Sequence, residues 1–269
     1  MFIEPPNAYC NAEIRPNTDI GGRGVMASFL IVSWLTVLLA AVPAVHEAKT
    51  SEQRIINSEP KIVQKINALF GPLCDLQAMT GVAIMIAGFT QWHTITYYHE
   101  QLIMCYWWLT LNSFWVARIN YMNLGSIDDQ WILRIRRGSI LVSCLLAITW
   151  LIRITYRELD HWDDNGGPCY RFLDGTSTWP WVAIAALSVG LYWFLLQWLA
   201  TWSYGDGFYP FTWLIYIGFN VWSTLDVISL WAWNKSLIST EEQGWGFGQV
   251  LPIILLSSIG IDALNIFRG

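Results

Sequence analysis

Long apolar runs separated by short polar connections set the pattern of this chain. A helix crossing roughly 30 Å of hydrocarbon needs about 20 mostly apolar residues. Such stretches occur at 25–45, 73–92, 100–118, 138–156, 180–200, 210–233 and 247–265. Lipid offers the backbone no water to bond, so each stretch is expected to be a helix. A membrane β-barrel would alternate apolar and polar residues over about ten positions, and the sequence has no such alternation. The pattern predicts an all-α polytopic bundle of seven spanning helices, residues 25–269, behind a polar tail, residues 1–24. The third stretch is the least regular, because Thr110, Asn112 and Ser113 interrupt it. Before the second, Ile62, Val63, Ile66, Leu69 and Phe70 have the spacing of a short helix lying on the membrane surface; an ordinary loop is the alternative.

Connection charge gives an orientation. The first connection carries Lys49, Arg54, Lys61 and Lys65, and the third Arg118, Arg134, Arg136 and Arg137. The second, His93 to His99, has no Lys or Arg, and the fourth is acidic, with Glu158, Asp160, Asp163, Asp164 and Asp174. Basic connections face the cytosol. The N-terminus is therefore expected on the lumenal or extracellular side and the C-terminus in the cytosol, in the endoplasmic reticulum or plasma membrane. The tail carries Pro5, Pro6 and Pro16 ahead of the first apolar run and does not read as a cleaved signal. Cys10 and Cys169 then share the oxidising side and are a candidate disulfide, two free thiols being the alternative. Asn234-Lys235-Ser236 is a glycosylation sequon on that side, too close to the membrane for use.

Composition sharpens this picture. Hydrophobic types make up 54% of the 269 residues and charged types 13%, against roughly 25% in a soluble domain. Eighteen residues are Trp, which suits membrane interfaces and can also wall a pocket that stabilises cations. A net charge of -5 without a basic stripe excludes nucleic acid as a partner. No Cys pair has metal-ligand spacing, and no nucleotide-binding or hydrolase motif occurs, so neither metal nor cofactor is expected. Membrane lipids and a lipophilic small molecule are the expected partners.

Ionisable residues inside spans are costly in lipid and mark function by default. Asp226 lies about sixteen residues, or about 24 Å, into the sixth span. Trp222 and Trp233 lie on or near its face. Glu100 opens the third span beside His99 and Gln101, and the faces below it carry Trp107, Trp108 and Asn112. Asp226 and Glu100 are the candidate catalytic acids. Trp107, Trp108, Trp222, Trp233, His99, Gln101 and Asn112 are the candidate substrate contacts. Asp75 follows Pro72 and is expected to cap the second span, while Gln77, Thr80 and Gly81 serve packing and Asp262 is expected to bridge to Arg118.

The segment Cys74-Asp75-x-Gln77-x-x-Thr80-Gly81, with Ala87-Gly88-Phe89 and Tyr98-His99-x-Gln101, resembles a group of fungal seven-helix membrane proteins. Glu100 departs from the aromatic or apolar residue of that group. By fold-level analogy the chain also looks like membrane-bound meroterpenoid cyclases of the ascochlorin and ascofuranone type. That analogy implies acid-initiated, epoxide-opening cyclisation of a lipophilic terpenoid or polyketide, with a neutral carboxylic acid and aromatic faces and without metal. The alternatives are a receptor or other small-ligand-binding membrane protein, a transporter or a scaffold.

Overall fold

The computed structural model describes residues 14–50, 60–121, 130–159, 209–243, 257, 260–261 and 263–268. The expected fifth span, most of the seventh, Cys10, Cys169 and Asp262 lie outside the described residues. The described elements are α1 (Thr18–Gly21), α2 (Arg23–Leu39), α3 (Ala41–Thr50), α4 (Lys61–Thr90), α5 (Tyr97–Tyr121), α6 (Gln130–Leu159), α7 (Tyr209–Asn234) and α8 (Thr240–Gln243). Among the described residues the regular elements are all helical, apart from one isolated bridge between Ile14 and Ile238. Among the described residues three segments are long and apolar enough to cross a membrane: Thr18–Lys49, Lys61–Thr90 and Pro210–Asn234. In α6 the apolar part is shorter, Gly138–Ile154.

Two expectations change. The first span is divided at Ala40 into α2 and α3. Pro43 has no N–H to donate to the Leu39 carbonyl, so the hydrogen-bond ladder breaks just before it. The 62–70 stretch is neither a surface helix nor a loop. It forms the first turns of the 30-residue helix α4, with Pro72 inside. Asp75 therefore sits in the helix interior rather than at its N-terminus. Val63, Ile66, Leu69, Phe70 and Leu73 are buried at helical spacing, so the same apolar face that suggested a membrane surface packs on neighbouring helices.

The interrupted third stretch becomes the centre of the bundle. Helix α5 packs against α4, α7, α2 and α6, and every residue from Tyr98 to Ala117 is buried except Gln101, Cys105 and Trp108. A helix buried on nearly all sides needs no apolar stripe and can carry polar groups that bond its neighbours. Its partners are one-sided. Helix α7 buries Thr212, Tyr216, Asn220, Ser223, Val227, Leu230 and Asn234, three or four residues apart, and exposes Leu214, Val221 and Leu225. Small residues let the helices close up: a Cβ at Gly81 would stand 3.2 Å from Thr110 Oγ1, and one at Gly88 would stand 2.7 Å from Ile103 Cδ1. The outward residues include Ile31, Leu38, Met79, Ile86 and Leu145, an apolar exterior suited to hydrocarbon.

Candidate functional site

At the end of α4 marked by Gln91, the N-terminal segment closes over the bundle. The Ile14 N–H donates to the Leu237 carbonyl at 2.8 Å. Asn17 Nδ2 bonds Gln91 Oε1, and the Asn17 backbone N–H bonds the Glu242 carboxylate at 3.1 Å. That carboxylate also meets His99 Nε2 at 3.1 Å, with both side chains fully buried. The Glu242 carboxylate accepts from Nε2–H, and Nδ1 lies 2.6 Å from the Thr96 hydroxyl. His99 is thus held on both nitrogens. A polar pocket of about 370 Å³ lies beside it, lined by Arg15, Asn17, Asp19, Gln91, Thr94 and Thr96.

On the neighbouring side of α5, Glu100 is engaged by Arg153 of α6. Arg153 Nε and Nη2 both lie 2.9 Å from Glu100 Oε1, and Nη2 also donates to the Trp92 carbonyl. The guanidinium lies 3.9 Å over the Trp92 ring and 5.3 Å from the Trp150 ring. Trp150 Nε1 donates to the Glu100 carbonyl. Glu100 Oε1 is thus engaged in an ion pair with Arg153. The aromatic faces here already hold a cation.

Deeper in the bundle, polar side chains link four helices at one level. The Ser33 hydroxyl of α2 donates to Asn220 Oδ1 of α7, and Asn112 Nδ2 of α5 reaches Ser223 Oγ of α7 at 3.4 Å. Gln77 Nε2 of α4 donates to Thr36 Oγ1 of α2 at 2.6 Å, and Trp34 Nε1 donates to Thr224 Oγ1 at 3.0 Å. Such interhelical bonds contribute on average about 0.6 kcal/mol each in a membrane and fix helix register more than they stabilise. Beside this belt, α2, α4 and α5 line a half-open cavity of about 260 Å³. Val25, Phe29, Val32, Leu76, Ile84 and Ala87 give its apolar wall. Gln77, Ser28, Ser33, Thr80, Thr110 and Ser113 give its polar side, and exposed Ala83 and Asp19 lie at its edge.

The residues singled out from sequence do not converge on one site. Asp226 is half-buried on α7, and Trp222, one turn before it, is 68% exposed. Asp226 lies on α7 and Glu100 on α5, where Arg153 engages it. Trp107 is buried and packs edge-on against Trp108 at 4.8 Å. Gln101 and Trp233 are half-buried. Asn112 joins the belt, and Gln77 and Thr80 line the cavity rather than only packing. Asn234 is buried and bonds the Leu230 carbonyl at 2.8 Å, which removes its amide from the sequon surface. Sequence reasoning missed Glu242, Trp92 and Trp150. Charge signals existed for Glu242 and for Arg153, whose apolar surroundings foretold a buried partner.

The chain is similar to the elsinochromes biosynthesis cluster protein HP3 of Elsinoe fawcettii, 27% identical over 110 residues that cover 36% of this chain and 44% of that protein. It therefore matches less than half of that relative's length. No family model matches the chain, and no solved structure matches it significantly. The likeness associates the chain with a fungal secondary-metabolite cluster protein and is consistent with a role in biosynthesis.

Proposed function

We propose that this chain is a multi-pass membrane protein of fungal secondary metabolism that takes a lipophilic metabolite into the cavity between α2, α4 and α5. The observation that carries the reading is the cavity itself: apolar walls inside an apolar-surfaced helical bundle, with a few convergent polar groups, the usual make-up of a small-molecule site. The relative's place in a biosynthesis cluster supports the pathway. Topologically, Asn17 meets Gln91 at one end of α4, and Lys65 meets the Phe267 carbonyl at the other. With the basic connections cytosolic, the N-terminal segment is lumenal or extracellular and the C-terminal segment cytosolic. Tags on the two termini will be digested from opposite faces of sealed vesicles; digestion of both from one face refutes this arrangement.

A second reading keeps acid-initiated cyclisation of an epoxide-bearing terpenoid or polyketide, with Asp226 as the acid. It rests on one carboxylate half-buried in a spanning helix beside Trp222. One experiment separates the two. The wild type, Ala83→Phe and Asp226→Asn are expressed in a host supplied with lipophilic epoxide precursors, and both the co-purifying molecules and the metabolites are profiled. Binding predicts a co-purifying molecule that Ala83→Phe excludes and Asp226→Asn retains. Cyclisation predicts a new product lost in folded Asp226→Asn. A wild type that retains nothing and makes nothing removes both.

A further inference from the structure

The half-open cavity and the polar pocket lie end to end along the same elements. On α4 one face runs Leu76, Thr80, Ala83, Ala87 and Gln91 in steps of three or four residues; the first four line the cavity and Gln91 lines the pocket. In the N-terminal segment Arg15 and Asn17 line the pocket, Val25, Phe29 and Val32 line the cavity, and Asp19, between them in sequence, lines both. Thr96, just before α5, lines the pocket, and Thr110 within α5 lines the cavity. The order is the same each time, so the two voids meet at Asp19 and together run about 20 Å along α4. Their chemistry differs. The cavity has apolar walls, whereas the pocket offers polar groups near its surface: Arg15, Asp19 and Thr94 are exposed, and Asn17, Gln91 and Thr96 are half-buried. Arg15 and Asp19 carry opposite charges; the others are amides and hydroxyls, which both donate and accept.

We infer that the two voids form one site for an amphiphile, its apolar tail between α2 and α4 over α5 and an uncharged, hydroxyl-bearing head in the polar pocket. This rests on the binding reading above and names its ligand class. A charged head of either sign would meet a like charge, Arg15 or Asp19, as it met the opposite one, and would give up its hydration for little net attraction. Hydroxyls exchange water for the amides and hydroxyls of Asn17, Gln91 and Thr94 without stranding a charge. The bilayer presents such a molecule the same way round. The pocket lies at the end of α4 with exposed Arg15, Asp19 and Thr94, while exposed Ile31, Met79 and Ile86 flank the cavity. Head and tail therefore keep the layers they occupy in lipid.

The test uses the full chain in nanodiscs, with partitioning into empty nanodiscs subtracted. Dodecyl β-D-glucoside, dodecanoate and dodecyltrimethylammonium share one tail, and dodecane reports the cavity alone. The wild type will bind the glucoside about tenfold more tightly than the other three, the gain expected of one or two net hydrogen bonds. Thr94→Trp, which fills the pocket from an exposed position, will bring the glucoside down to the level of dodecane and leave dodecane unchanged. Ala83→Phe, which narrows the cavity at an exposed edge, will weaken both. A wild type that binds either charged probe or dodecane as tightly as the glucoside overturns the inference, as does glucoside binding that ignores either variant, because one ligand must span both voids. If Ala83→Phe weakens dodecane while the glucoside has no advantage, the cavity stands and the amphiphile does not. If Ala83→Phe affects neither probe, or dodecane does not bind, the cavity reading falls with it.

Discussion

Arg153→Ala will lower the thermal unfolding midpoint by about 10 °C, corresponding to a loss of roughly 3–5 kcal/mol. The argument is one of desolvation. Glu100 is 0% exposed and its charge is balanced by a guanidinium 2.9 Å away. Removing Arg153 leaves a buried carboxylate uncompensated, takes a donor from the Trp92 carbonyl, and empties the space over the Trp92 ring. Breaking a buried pair from one side is the expensive case, whereas replacing both members with apolar residues of similar volume is often close to neutral. The double variant Glu100→Leu with Arg153→Met should therefore recover most of the loss, giving a large coupling in a double-mutant cycle. Arg153→Lys keeps the charge but loses the planar fork and the ring stacking, and should fall between. Tryptophan fluorescence melts in nanodiscs measure all four. An Arg153→Ala midpoint within 2 °C of wild type would show that the pair is not structural, and would return Glu100 to consideration as a free acid.

Legibility followed the physics of each level. Helical spans were readable because lipid forces a long, continuous apolar signal, as in residues 210–233, which became α7 almost to the residue. The ends were less readable. Nothing in the apolar pattern distinguishes a surface helix at 62–70 from the first turns of a longer helix, because the same buried face serves either, and Pro72 is tolerated within α4. The central position of α5 was hidden by its own burial: a helix packed on all sides has no stripe to find, and its polar residues looked like interruptions. Asp226 and Glu100 stood out as charges in apolar sequence, but what a charge does depends on its partner. The partner of Glu100 is 53 positions away, and that of His99 is 143 positions away. Gln77 was visible in its motif, yet its partner, Thr36, lies 41 positions away on another helix.

Gly21→Ala will release the N-terminal segment from the bundle. A Cβ at position 21 would stand 1.8 Å from Glu242 Oε1, 2.7 Å from its Cδ and 2.9 Å from His99 Nε2. The tip of a long side chain usually moves aside cheaply, but this one cannot. The Glu242 carboxylate is held by the Asn17 N–H and His99 Nε2, and His99 is held in turn by Thr96. Displacing Glu242 therefore breaks its bond to the Asn17 N–H, one of the contacts that dock residues 14–22, and the least costly response is for that segment to loosen. Overpacking at a rigid site costs about 1–3 kcal/mol, which here should appear as local opening rather than as global unfolding. The bond after exposed Arg23 reports it: trypsin cleavage there should accelerate about tenfold to a hundredfold in the fast-reclosing regime, while the melting midpoint of the helical core moves by only a few degrees. Gly138→Ala is the matched control. A Cβ there meets nothing within 4 Å, and alanine is the better helix former by up to about 1 kcal/mol, so that variant should be as protease-resistant as wild type and no less stable. If Gly21→Ala were cleaved after Arg23 at the wild-type rate, the contacts of His99 and Glu242 would not be what holds the segment, and the polar pocket beside them would have to be closed by something else.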